Sequence, residues 1–167
     1  YISGNHSNAG AGVYSANASP LLTNVLISKN LAAYNGGGMV STGRSSELPE
    51  LVNVTISGNK AAFNGGGIQI FSPASLKLYN SIVWGNGSAP SIGGAGTLHV
   101  SSTNNLIEGG GEAFCVSDIF TNPANDDYSL KASSPAINVG DNSLFSGLNA
   151  TTLDLAGNPR TYNDGLI

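Results

Sequence analysis

Few residues in this chain carry groups able to do chemistry, and they are thinly spread. Ten acids, six bases, two histidines and one cysteine stand among 167 residues. Between residues 1 and 111 the only acids are Glu47, Glu50 and Glu108. A glycosidase needs two carboxylates about 5 to 10 Å apart, one as acid and one as nucleophile or base. A Ca²⁺-dependent lyase needs a cluster of acids with an Arg or Lys base on one face. Glu47 and Glu50 flank Pro49 in a loop that also holds Arg44, and Glu50 stands one place before a strand residue, Leu51, where it could face a groove. No stacked carboxylate stands beside them, so a surface loop is the better reading, and Glu50 stays a candidate ligand contact. His6 and His99 have no acid in phase with a nucleophile and read as polar surface residues. The lone Cys115 excludes an intrachain disulfide and a zinc site built on cysteines. Without a local base it reads as inert packing.

Acids gather toward the end, at Asp118, Asp126, Asp127, Asp141, Asp154 and Asp164. Hard oxygens of this kind are what Ca²⁺ requires. The spacing matches neither an EF-hand nor an Asp-rich nonapeptide, and loop capping by Asp and Asn is the favoured reading. No cofactor is expected, with Ca²⁺ as the one alternative. A net charge of −4, with six scattered bases, argues against nucleic acid as a partner. No apolar run approaches the roughly 18 to 20 residues of a membrane span.

The elements that would position these groups come from a repeat. Leu22-Thr23-Asn24-Val25-Leu26-Ile27-Ser28-Lys29-Asn30 matches Leu51-Val52-Asn53-Val54-Thr55-Ile56-Ser57-Gly58-Asn59, and Leu78-Tyr79-Asn80-Ser81-Ile82-Val83-Trp84-Gly85-Asn86 is a third copy. Asn24 to Asn53 is 29 residues and Asn53 to Asn80 is 27. A second phrase keeps phase with the first: Ala32-Ala33-Tyr34-Asn35-Gly36-Gly37-Gly38-Met39 matches Ala61-Ala62-Phe63-Asn64-Gly65-Gly66-Gly67-Ile68. Two motifs in the same order and period mark a solenoid. The phrases are short, β-branched and bounded by Asn, Gly or Ser, which predicts strands and turns.

Three strands per coil are expected, near 20–23, 25–28 and 38–41 and then near 49–52, 54–57 and 67–71. Coils would stack at about 4.8 Å. Alternation turns four files inward: Leu22, Leu51 and Leu78; Val25, Val54 and Ser81; Ile27, Ile56 and Val83; Val13, Met39 and Ile68. Leu26, Thr55 and Ile82 point outward, and two of these three are apolar, so something is expected to cover that face. Asn24, Asn53 and Asn80 fall at a bend, and Asn30, Asn59 and Asn86 form a second file. Both read as structural ladders, because Asn tolerates the left-handed region and its amide can bond the amide above it. The Gly triplets read as corners of positive φ and close approach. Gly36-Gly37-Gly38 is no phosphate loop, since neither Lys-Ser/Thr nor a helix follows.

The coils resemble the right-handed parallel β-helix repeats of bacterial surface proteins of the polymorphic outer membrane protein type, through Gly66-Gly67-Ile68. The later part is similar to the choice-of-anchor Q domain of such proteins. It carries Phe120-Thr121-Asn122-Pro123-Ala124-Asn125-Asp126-Asp127-Tyr128-Ser129-Leu130, then Ser134-Pro135-Ala136-Ile137-Asn138-Val139-Gly140, then Asp154-Leu155-Ala156-Gly157-Asn158-Pro159-Arg160. The family's closing strand is not matched by Asp164-Gly165-Leu166-Ile167. The resemblance implies a secreted or cell-surface protein of Bacteroidetes-like bacteria, and it names no reaction.

The expected fold is therefore all-β: a right-handed, pectate-lyase-like parallel β-helix of about four coils. Residues 1–111 would form the coils and residues 112–167 a loop-rich cap packed on the last of them, with Leu130, Ile137, Val139, Leu153 and Leu155 buried. The opening Tyr1-Ile2-Ser3-Gly4-Asn5 is the tail of the phrase seen whole at Thr55–Asn59, so the chain is expected to be a piece of a longer protein. The sequons at Asn5, Asn17, Asn53, Asn86 and Asn149 read as accidents of composition. The favoured function is non-catalytic: adhesion, a spacer, or contact with a polysaccharide or host surface glycan. A polysaccharide lyase or glycoside hydrolase with its site outside these residues is the alternative. Trp84, aligned with Ser28 and Ser57, is expected to point outward and to be the leading ligand contact. Tyr34 and Phe63 are in phase and read equally as glycan contacts or corner stacking.

Overall fold

The computed structural model describes residues 1–87, 90–100, 104–109, 116–144, 152–155 and 157–158. Cys115, Asn149, Asp164, two of the three glycines at 109–111, and the boundary placed at 111/112 lie outside the described residues.

The chain winds as a parallel β-helix of about four coils, each strand hydrogen-bonded to its counterparts one coil before and after. Sheet A contains Ile2–Ser3, Leu26–Ser28, Thr55–Ser57, Ile82–Trp84 and Leu106–Ile107. Sheet B contains His6–Ala9, Leu31–Asn35 and Lys60–Ala61. Sheet C contains Val13–Ala16, Met39–Thr42, Ile68–Ile70 and Ile92–Gly93. Sheet D contains Leu21–Thr23, Glu50–Val52, Ser75–Tyr79 and Thr97–Val100. Each full coil thus has four strands, one more than the phrases suggest. The extra strand, in sheet B, runs through Ala32, Ala33 and Tyr34, where few side chains favour extension. Pairing between coils imposes it there, as in Phe63 N–H to Tyr34 O at 2.9 Å.

The inward files hold as read. Leu22 pairs with Leu51 and Leu51 with Leu78. Ile2, Ile27, Ile56, Val83 and Ile107 form one column through sheet A. Val13, Met39, Ile68 and Ile92 form another through sheet C. These residues belong to one core cluster, in which Ile27, Met39, Leu51, Ile56, Ile68, Leu78 and Val83 are fully buried. At about 1.5–3 kcal/mol for each fully buried large aliphatic side chain, this column is the main stabilising term.

The two Asn files do different work. Asn30, Asn59 and Asn86 point inward. The backbone N–H and Nδ2 of Asn30 both donate to Asn59 Oδ1 (3.0 and 2.9 Å), and those of Asn59 both donate to Asn86 Oδ1 (3.1 and 3.0 Å). Asn5 extends the ladder by donating to Asn30 Oδ1. Asn24, Asn53 and Asn80 sit at the bend between sheets D and A with φ of 57°, 55° and 49°. Their amides do not bond one another. That of Asn80 turns outward, so this file is one of backbone conformation rather than of amide contact.

The outward face of sheet A is covered, as its apolar residues required, and the cover is the chain's own later segment. A short helix, Val116–Ile119, leads into an antiparallel pair, Phe120–Asn122 with Asp127–Leu130. Ile119 and Phe120 are fully buried against Trp84 and Leu106, with Ile82, Val116, Tyr128 and Ala136 around them. Phe120 meets Tyr128 edge-on, with ring centroids 5.3 Å apart. This segment lies along the side of the solenoid as a strap. It reaches Lys29, whose ammonium is 2.6 Å from the Asp126 carboxylate, and Asn80, whose amide exchanges two 2.8 Å hydrogen bonds with the backbone of Asp141. Leu130, Ile137, Val139, Leu153 and Leu155, expected to be buried, are instead exposed. The strap is two-sided and thin, and its inward places go to Ile119, Phe120 and Tyr128.

Candidate functional site

Trp84 does point out from the coil, in register with Ser57 and Ser28. The strap then closes over it, and only 2% of its surface is exposed. A ligand arriving from solvent cannot reach the ring, which corrects its reading as the leading contact. The reason is tertiary: the sheet face it occupies is the one the strap needs.

Glu50 is half-exposed at the start of its sheet D strand. Its file neighbours are Leu21 on one side and Lys77 on the other, followed by His99. The Lys77 ammonium stands 3.6 Å from the Glu50 carboxylate. Glu47 is tied separately, accepting from the Ser19 hydroxyl at 3.3 Å. Glu108 accepts from the Gly85 N–H at 3.2 Å and from the Ser91 hydroxyl, bracing the last coil. The three coil acids therefore serve three separate contacts.

Three of the late acids, Asp127, Asp141 and Asp154, cap loops. Asp127 Oδ1 accepts from the hydroxyl and N–H of Ser129, which hold its carboxyl below the usual value. Ser143 does the same for Asp141. Among the described residues, no three His, Cys, Asp or Glu side chains stand close enough to hold a metal ion. Tyr128 is pushed above the usual phenol value by burial, and its hydroxyl fits against Gly58, where a Cβ would lie 2.9 Å away. A cavity of about 390 Å³ remains between strap and sheet, lined among others by Leu26, Ile82, Leu106, Tyr128 and Asn53.

One aromatic pair is open to solvent. Tyr34 and Phe63, on successive coils at the sheet B flank, are 54% and 61% exposed. Their rings are parallel within 5°, with centroids 5.9 Å apart. Burial does not account for them, and offset parallel rings present apolar surface beside polar backbone. Below them along the same strands runs a shallow groove lined by His6, Leu31, Ala33, Lys60, Ala62 and Gly87. The sequence placed Tyr34 and Phe63 in phase, and their exposure is what separates them from Trp84.

The chain matches no family model, no curated protein and no solved structure.

Proposed function

We propose that this chain is the β-helical part of a secreted or cell-surface protein that contacts glycan without transforming it, through the flank of sheet B. The observation that carries the reading is the exposed Tyr34–Phe63 stack. Sugar rings bury their C–H faces on aromatic surfaces, and two rings at a coil-to-coil interval suit a chain lying along the solenoid axis. The likeness of the coils to polymorphic outer membrane protein repeats, and of the strap to the choice-of-anchor Q domain, supports the surface assignment. Glu50 has Lys77 rather than a second carboxylate beside it, which favours contact over hydrolysis.

The test is a glycan array followed by titration of any glycan retained. Tyr34→Ala and Phe63→Ala should each weaken binding between about twofold and about tenfold, the range set by ~0.5–1.5 kcal/mol per aromatic contact. Trp84→Phe should leave affinity unchanged. Absence of binding to every glycan, or binding indifferent to both ring deletions, would remove this reading. Turnover lost in Glu50→Gln would replace it with the enzymatic one.

A further inference from the structure

The strands of sheets A and C contain neither acids nor bases, whereas those of sheet B carry basic side chains and no acid. The chain is acidic overall, yet residues 5–10, 30–36 and 59–65 contain no Asp or Glu. They contain Lys60 and His6, which share one outward file: His6 pairs in register with Leu31, and Leu31 with Lys60. Lys29 and Lys77 each face a carboxylate, at Asp126 and Glu50. Lys60 has no carboxylate partner among the described residues. Its stem is nonetheless laid down, because Gly87 on the next coil has no side chain: a Cβ there would come within 3.0 Å of Lys60 Cγ and 3.4 Å of Cε. A flexible cation packed along a groove, with the carboxylates kept off its sheet, is a preformed anion contact.

We infer that the glycan taken by this flank is acidic, with an anionic group held at Lys60 and a second reaching His6. This rests on the glycan reading above and adds the substrate class. Two coil steps separate Lys60 from His6, about 9.6 Å at ~4.8 Å per step. That interval suits a linear polymer with its acid on every second sugar better than one charged at every sugar. The apolar groove floor at Leu31, Ala33 and Ala62 accepts the uncharged sugar between.

The experiment compares oligosaccharides of hyaluronan, which carry one carboxylate per disaccharide, with the same oligosaccharides after carboxyl reduction. Binding is measured by titration calorimetry at two salt concentrations. The acidic form should bind at least tenfold more tightly, and added salt should weaken it. Lys60→Gln should lose most of that preference, Lys60→Arg should keep it, and His6→Gln should reduce it by a smaller factor. Lys131→Gln, a lysine of the strap, serves as the control and should change nothing. Equal affinity for the reduced form, or a Lys60→Gln protein with unaltered preference, overturns the acidic assignment and leaves glycan contact standing. Loss of all glycan binding by the unaltered protein overturns both. Circular dichroism of each variant checks that the coils persist.

Discussion

The amide of Asn59 lies directly against Gly38: a Cβ on Gly38 would fall 3.2 Å from Asn59 Nδ2 and 2.5 Å from the carbonyl oxygen of Gly67 on the next coil. Gly12 stands the same way to Asn30, and Gly67 to Asn86. The Asn ladder and the Gly corner are thus one packed device seen from two sheets. Their shared phase in the sequence follows, since an inward amide leaves no room for a side chain at the glycine facing it. Gly38→Ala should lower stability by more than the ~1 kcal/mol gained or lost at an ordinary glycine, because backbone would have to move. Denaturant unfolding checks this.

The two Asn files should respond in opposite ways to the same substitution. Asn53→Gly should change stability by only a few tenths of a kcal/mol, because a φ of 55° is what that position demands. Asn59→Gly should cost several kcal/mol. It strips Asn30 N–H and Nδ2 of a shared acceptor and removes the amide that donates to Ile27 O, while Asn86 Oδ1 keeps only the backbone N–H of residue 59, at about 1–3 kcal/mol for each buried group left unmade. Equal losses at both positions would contradict the assignment of the two files.

Trp84 is the only tryptophan and reports on the strap. Its emission should be blue-shifted and shielded from iodide. Phe120→Ala should expose it while leaving the far-ultraviolet β signal, at a cost of about 3–5 kcal/mol. A solvent-exposed spectrum in the unaltered protein would show that the strap does not cover sheet A.

Lys29 occupies a left-handed position, φ 54°, that its file neighbours Gly4, Gly58 and Gly85 fill with glycine. Strain there is about 1–2 kcal/mol. The exposed pair with Asp126 returns at most ~1 kcal/mol. Lys29→Gly should therefore leave stability unchanged or slightly raised, read as the denaturation midpoint.

Tyr128 ties the strap to pH. Its folded value lies above the unfolded one, near 10.0, so the associated stability is full below that pH and is lost as pH rises through the folded value. Asp127 and Asp141 work in the other direction. Their folded values lie below the ordinary 3.8, so their contribution holds above that pH and is lost as pH falls through the folded values. Trp84 emission should stay constant from about pH 5 to about pH 9 and shift outside that window. In Tyr128→Phe the alkaline shift should disappear.

The phrase repeat alone determined the winding, the inward files and their register, because stacked coils must place like side chains over like and a slip of one residue would turn every core leucine outward. It also determined that Leu26 and Ile82 needed cover. What supplied the cover was decided only in three dimensions. Outward in the strand and open to solvent are the same statement for an isolated sheet, and the strap makes them different at Trp84 while leaving Tyr34 and Phe63 bare. The fourth strand through Ala32 and Ala33 was hidden for a related reason, since neighbours in adjacent coils, not local side chains, hold that backbone extended. The pairing of Glu50 with Lys77, by contrast, follows from the phrase register itself, one place before Leu51 and Leu78. Local chemistry writes the coil. Which of its faces meets water is settled by segments far away along the chain.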